Sequence, residues 1–243
     1  MKSLFGSKML RTVLSGTALA MMLTLGVDAS AALITYTSQS AFALAIAGMS
    51  ATTTDFETTA AGTTYAAGSG PGGSGFTLQL TGPSAATQLP AVSDQFWTTS
   101  GTHYLGLDNP DSALEAGDVL TFTFASGVRA FGLFVIGTHD IDGGDITLSS
   151  GATTVANAAT ASLSDGAGSF AFFLGLVSDD ASTFGSVSLH DLAALDTRLL
   201  NIAIDDVTLA RDGATPVPVP EPGTLLLVLV GMMVIRTMMR RAG

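Results

Sequence analysis

The stretch Val119-Leu120-Thr121-Phe122-Thr123-Phe124 decides the fold class, because Leu120, Phe122 and Phe124 share one parity and the threonines the other. Side chains alternate across a strand, so one face of this segment is core and the other is wet. Two longer runs, 131–136 (Phe-Gly-Leu-Phe-Val-Ile) and 170–177 (Phe-Ala-Phe-Phe-Leu-Gly-Leu-Val), are apolar on both parities. Strands of that kind are covered on both faces and belong at the centre of a sheet.

Outward from these runs, short β-branched or aromatic segments recur between clusters of Gly, Ala, Ser and Thr, predicting strands at 33–36, 55–57, 76–80, 104–107, 145–148, 184–189 and 202–209 as well. One early helix interrupts them, with Ser40 as its cap, Phe42, Leu44, Ile46 and Met49 on its apolar side, and Gly48 at its end. There is no regular alternation of strand and helix, so the expected architecture is all-β, two antiparallel sheets packed face to face. The glycine-rich stretch 68–75 reads as a loop, since a phosphate cradle needs a following helix and a lysine.

Both ends read as targeting segments. Lys2, Lys8 and Arg11 precede an apolar run at 13–27, then Ala29-Ser30-Ala31 offers the small residues of a signal-peptidase site, with cleavage after Ala31. The alternative is an uncleaved membrane helix, for which the run is short and interrupted by Ser15, Gly16, Thr17 and Thr24. At the far end Thr215-Pro-Val-Pro-Val-Pro-Glu-Pro-Gly223 is an extended linker that cannot continue a sheet. An apolar stretch at 224–235 follows, then Arg236 and the basic pair Arg240-Arg241. By the positive-inside rule that pair stays in the cytoplasm and the β domain, residues 32–212, lies on the other side of the membrane.

The whole chain of 243 residues has a net charge of −11, but the span 32–220 holds three arginines, no lysine and eighteen acids, a net charge of −15. Nucleic acid is excluded as a natural partner, since phosphate binding needs clustered cations. Divalent cations suit such a surface better. The absence of cysteine excludes disulfides, thiolate metal sites and a cysteine nucleophile, so the core alone must hold the fold, with or without an ion.

The sequence Val219-Pro-Glu-Pro-Gly-Thr-Leu-Leu-Leu, with the apolar stretch and the terminal arginines behind it, closely resembles the PEP-CTERM sorting signal. The resemblance covers about the last 25 residues and implies an exosortase that cuts near Pro220-Glu221-Pro222 and transfers the domain to an envelope or matrix component. It also implies an exopolysaccharide-rich setting such as a biofilm, and Arg236 inside the apolar stretch departs from the pattern. Asp55-Phe56-Glu57 and the closing Ile202-Ala-Ile-Asp-Asp-Val-Thr-Leu209 resemble the first and last strands of jelly-roll modules of the MAM and carbohydrate-binding kinds. The segments 172–180 and 184–189 fit the same layout.

In the closing strand Ile202 and Ile204 have one parity and Val207 and Leu209 the other, so the phase must slip at Asp205-Asp206, as a bulge allows. Two carboxylates there, beside Asp55 and Glu57 of the first strand, would gather oxygen ligands for a structural Ca²⁺ that joins the two ends of the sandwich. The alternative is that these acids only end strands on a solvated surface. The cluster 140–145 (Asp-Ile-Asp-Gly-Gly-Asp) reads as a hairpin turn, since it lacks the spacing of a calcium loop.

Trp97 and Tyr104 are candidates to stack on a sugar ring; the competing reading of Trp97 is a half-buried ring closing one end of the core. His103, His139 and His190 are far apart, and no nucleophile elbow or zincin pattern accompanies them. Three functions follow in order: a non-enzymatic structural or adhesive matrix protein, a module that binds exopolysaccharide through Trp97, and a secreted hydrolase.

Overall fold

The computed structural model describes residues 32–109, 114, 117–138, 141–191 and 202–213. In chain order these residues form β1 (Leu33–Tyr36), helix α1 (Gln39–Ala45), β2 (Met49–Thr54), β3 (Phe76–Thr81), β4 (Pro90–Ser93), β5 (Tyr104–Leu107), β6 (Val119–Val128) and β7 (Ala130–Thr138). Then come β8 (Ile146–Ser150), β9 (Thr153–Ala156), β10 (Leu163–Ser164), β11 (Ser169–Ser178), β12 (Phe184–Asp191) and β13 (Ala203–Asp212). Two antiparallel sheets result. The larger runs β1-β11-β7-β13-β5-β4, with β10 added to β11 and β2 added to β13; the smaller runs β3-β6-β12-β8-β9. The packing is a β-sandwich, as the alternation of 119–124 predicts.

The inner core lies between the sheets. Phe122 of the small sheet has its ring centroid 5.1 Å from that of Phe131 on the large sheet and 5.4 Å from that of Phe76. Leu133, Val135, Leu174 and Leu176 fill the same layer without solvent exposure. Burying each such side chain stabilises the fold by roughly 1.5–3 kcal/mol, so this layer is the main source of stability in a chain without cysteines.

The two runs that are apolar on both parities are the central strands β7 and β11, and their second face forms a separate outer core of Phe134, Ile136, Ala171, Phe173 and Val177. Helix α1 covers it. Gly132 and Gly175 pair across β7 and β11, and a Cβ on either would come within 3.0 Å of the Phe42 ring. The glycine pair is therefore a dimple in the sheet that seats Phe42, the buried residue of the helix.

Several expectations are corrected. Ser38, not Ser40, caps the helix, accepting the Ala41 N–H at 3.4 Å, and the helix ends at Ala45. Leu44 is 79% exposed and Met49 opens β2. Asp55-Phe56-Glu57 is no strand: Phe56 has φ 62°, which turns the chain out of β2 and puts its ring in the inner core. The turn at 142–145 is real, with Asp145 N–H to the Asp142 carbonyl at 3.3 Å, but it links β7 and β8 of different sheets and is not a hairpin.

Candidate functional site

The closing strand forks the large sheet. β13 pairs with β7 along one edge, and on its other edge Ile204 faces Leu105 of β5 while Val207–Asp212 faces β2. Its register against β7 shifts between Asp205 and Thr208, and Asp206 has φ 50°. This bulge is what lets Ile202, Ile204, Val207 and Leu209 all enter the inner core despite their mismatched parity.

The segment Thr98-Thr99-Ser100-Gly101-Thr102-His103, which leads into β5, sits at this fork and is held by three carboxylates. Asp205 is fully buried. Its Oδ2 accepts the Thr99 N–H at 2.9 Å, the Ser100 N–H at 3.0 Å and the Thr99 hydroxyl at 2.8 Å, while its Oδ1 accepts the Asp206 N–H at 2.8 Å. Asp206 accepts the Ser100 hydroxyl at 2.7 Å. Glu57 Oε1 accepts the N–H groups of Thr102 at 2.7 Å and His103 at 2.6 Å.

Electrostatics divide the three. Burial pushes the Asp205 carboxyl above its ordinary value, helped by the neighbouring Asp206 charge and opposed by the Thr99 and Ser100 donors. The His103 and Thr102 amides hold Glu57 below its ordinary value. Gly101 has φ 56°, and a side chain there would run into the Glu57 carboxylate, so only glycine lets the loop lie so close.

Of the four acids expected to gather as calcium ligands, Glu57, Asp205 and Asp206 do meet at one loop, but they hold successive residues of it. Asp55 is turned to the Glu57 N–H at 3.2 Å on the exposed side. Both Asp205 oxygens and Glu57 Oε1 accept N–H donors, whereas Glu57 Oε2 meets the Thr102 hydroxyl at 3.4 Å and lies 3.8 Å from His103 Nδ1. Among the described residues no three His, Asp or Glu side chains are grouped to hold a metal ion.

Trp97 is half-buried and packs with Phe96 against the outer core. Tyr104 is 3% exposed, its ring 5.9 Å from Phe96, and burial raises its hydroxyl above the ordinary value. A buried ring has no free face for a sugar, so Tyr104 is corrected to a core residue and only Trp97 retains an accessible edge.

His103 Nδ1 lies 3.8 Å from Glu57 Oε2, while Ser149 Oγ is 3.1 Å from His190 Nε2 on the other sheet. His139, Asp140, Ala29, Ala31, Pro220, Glu221, Pro222, Arg240 and Arg241 lie outside the described residues, as do the expected signal and sorting segments. Among the described residues no helix is long and apolar enough to cross a membrane. Sequence reasoning missed Thr99, Ser100 and Thr102, the donors that make the acidic corner a latch; a polar loop has no periodicity to mark it.

No protein-family model matches the chain, and no curated protein matches it. The functional reading therefore stands on the chain's own residues.

Proposed function

We propose that the chain is an exported protein of the cell envelope or extracellular matrix, structural or adhesive and without catalysis, sorted through a PEP-CTERM tail. One observation carries this reading: a Pro-Glu-Pro motif, an apolar stretch and a basic pair occur in that order at 220–241, at the opposite end from a basic and apolar leader that stops at Ala29-Ser30-Ala31. The sandwich supports it, since β1 begins at Leu33 and β13 ends at Asp212, between the two segments. In this reading signal peptidase and an exosortase are the processing partners, and the membrane holds the chain only between the two cuts.

The finer fold assignment is a jelly roll. Its support is the path of the chain, which changes sheet at eight of its twelve strand-to-strand steps: β2 to β3, β3 to β4, β5 to β6, β6 to β7, β7 to β8, β9 to β10, β11 to β12 and β12 to β13. The wall so formed is an adhesive scaffold in this proposal. Asp212 leaves β13 beside Met49, six residues beyond the Asp205-Asp206 latch. An anchored domain thus turns the 94–103 loop with Trp97 away from the anchoring end by about 20 Å, from the rise per strand residue.

The test is fractionation of producing cells. The protein should be found in the envelope or matrix fraction, shifting to a membrane-held, larger form when the exosortase is deleted. A cytosolic protein insensitive to that deletion would overturn the proposal.

A further inference from the structure

Load enters an anchored protein where the chain leaves the fold, and here that place is the end of β13. Arg129 fixes the exit. Its Nη1 meets Asp212 Oδ1 at 2.8 Å, its Nη2 donates to the Ser178 carbonyl at 3.1 Å, and its backbone N–H donates to the Ala210 carbonyl at 2.9 Å. Beyond the exit β13 is gripped on both edges, by six residue pairs with β2 and six with β7. Antiparallel ladder bonds lie perpendicular to the strands, so a pull along β13 loads them all at once and none opens alone.

The 94–103 segment is joined to the same strand in a different way. β5, into which it leads, meets β13 at a single pair, Ile204 opposite Leu105. The rest of the joint is the latch. Asp205 holds the Thr99 and Ser100 amides, and Asp206 holds the Thr99 and Ser100 hydroxyls at 2.9 and 2.7 Å. Glu57, three residues past the end of β2, holds the Thr102 and His103 amides. Every acceptor is a carboxylate, which makes stronger hydrogen bonds than a neutral group does. Asp94 and Gln95 are exposed and Trp97 is half-buried, so the outer turn of this segment is open to contact. Within the large sheet, a load applied at 94–97 therefore reaches β13 through one ladder pair and the latch, and leaves it at Asp212.

We propose that β13 is the load-bearing strand of the anchored protein and that the latch is its yield point. Under tension between the tail and the 94–97 surface, the loop lets go of Asp205, Asp206 and Glu57 before β13 slides from its neighbours. Two six-pair ladders sheared together outlast one pair and a side-chain latch. The opening is reversible, because the loop stays tied through the chain to β4 and β5 while the sandwich behind it remains folded. The joint thus extends and recovers instead of failing. The inference rests on the anchored, adhesive reading and adds how such a scaffold takes load; fractionation tests the destination and pulling tests the load path, so either can fail alone.

The chain has no cysteine, so one introduced thiol and a C-terminal tag give defined handles for optical-tweezers pulling of the full-length protein in mild detergent. Gln95→Cys loads the latch. Ala167→Cys, exposed in the turn before β11, reaches β13 through the nine pairs of β11 with β7 instead. The first handle should show a short reversible opening before the fold gives way, and the second only the final event. Forced opening is governed by a rate, so the lifetime of the closed latch at constant force is the readout. Thr99→Ala with Ser100→Ala should shorten that lifetime at least about ten-fold, about 1.4 kcal/mol off the barrier, and leave the Ala167 pull unchanged. Asp205→Asn should do the same if the double variant fails to fold. One all-or-none event at equal force from both handles, the same opening seen from Ala167, or an opening unaltered in both variants would overturn the proposal.

Discussion

Asp205 and Thr99, 106 residues apart in sequence, are joined twice: the buried carboxylate takes both the Thr99 amide at 2.9 Å and its hydroxyl at 2.8 Å. That double bond fixes the loop before β5 onto the bulge of the last strand, so the middle of the chain and its closing strand order one another. Asp205→Ala leaves the Thr99 and Ser100 amides without their acceptor and should cost about 2–4 kcal/mol. In a domain of this size that lowers Tm by roughly 2–4 °C per kcal/mol, read by calorimetry. Asp205→Asn keeps one acceptor oxygen and should cost less.

The same corner tests the calcium reading. Because N–H donors already engage both Asp205 oxygens and Glu57 Oε1, chelator and added Ca²⁺ should leave Tm unchanged. Heat of Ca²⁺ binding in calorimetry, with stabilisation that chelator reverses, would show that the ion displaces these donors and that Glu57 and Asp206 are ligands.

Phe42 in its glycine dimple gives a packing prediction. Phe42→Ala should destabilise the fold by about 3–5 kcal/mol, the range for large aromatic truncations. Gly175→Val should cost a comparable amount, because the added carbons enter the space of the Phe42 ring. The combination should cost less than the sum, since removing the ring makes room for the valine. Denaturant unfolding of the four proteins measures this coupling.

Acid sensitivity follows from three carboxylates. Backbone amides hold Glu57 below its ordinary value of 4.5, Ser169 and Ala167 amides hold Asp165 below 3.8, and the Ser182 hydroxyl and amide hold Asp180 below 3.8. A depressed carboxyl contributes stability that is present above its unfolded value and lost as pH falls through the folded one. Asp205, raised, works in the opposite sense: its contribution is present below 3.8 and lost as pH rises through the folded value. Melting curves should therefore be flat through neutral pH and fall below about pH 4, and Asp165→Asn with Asp180→Asn should flatten that fall.

What was legible in the sequence was whatever apolar side chains wrote into it. The alternation of 119–124 and the doubly apolar runs of β7 and β11 gave the two sheets and their central strands, and the parity slip between Ile204 and Val207 gave the bulge. The strand β2, Met-Ser-Ala-Thr-Thr-Thr, was missed because it buries almost nothing and is held by its bonds to β13. The motif Asp55-Phe56-Glu57 misled because an aromatic between two acids imitates alternation, whereas Phe56 reaches the core from a left-handed turn. The partners of the acids were not legible, since hydrogen bonds between Thr99 and Asp205 leave no period in either segment.

The central claim is that both ends are addresses read by export machinery and that the sandwich between them works outside the cytosol. Intact-mass spectrometry of the protein isolated from producing cells tests it most directly. The account predicts a mature chain beginning at Ala32 and ending near Pro220-Glu221-Pro222, with any attached group on that new end. A full-length chain of 243 residues recovered from the soluble cytosolic fraction, with both ends intact, would contradict it.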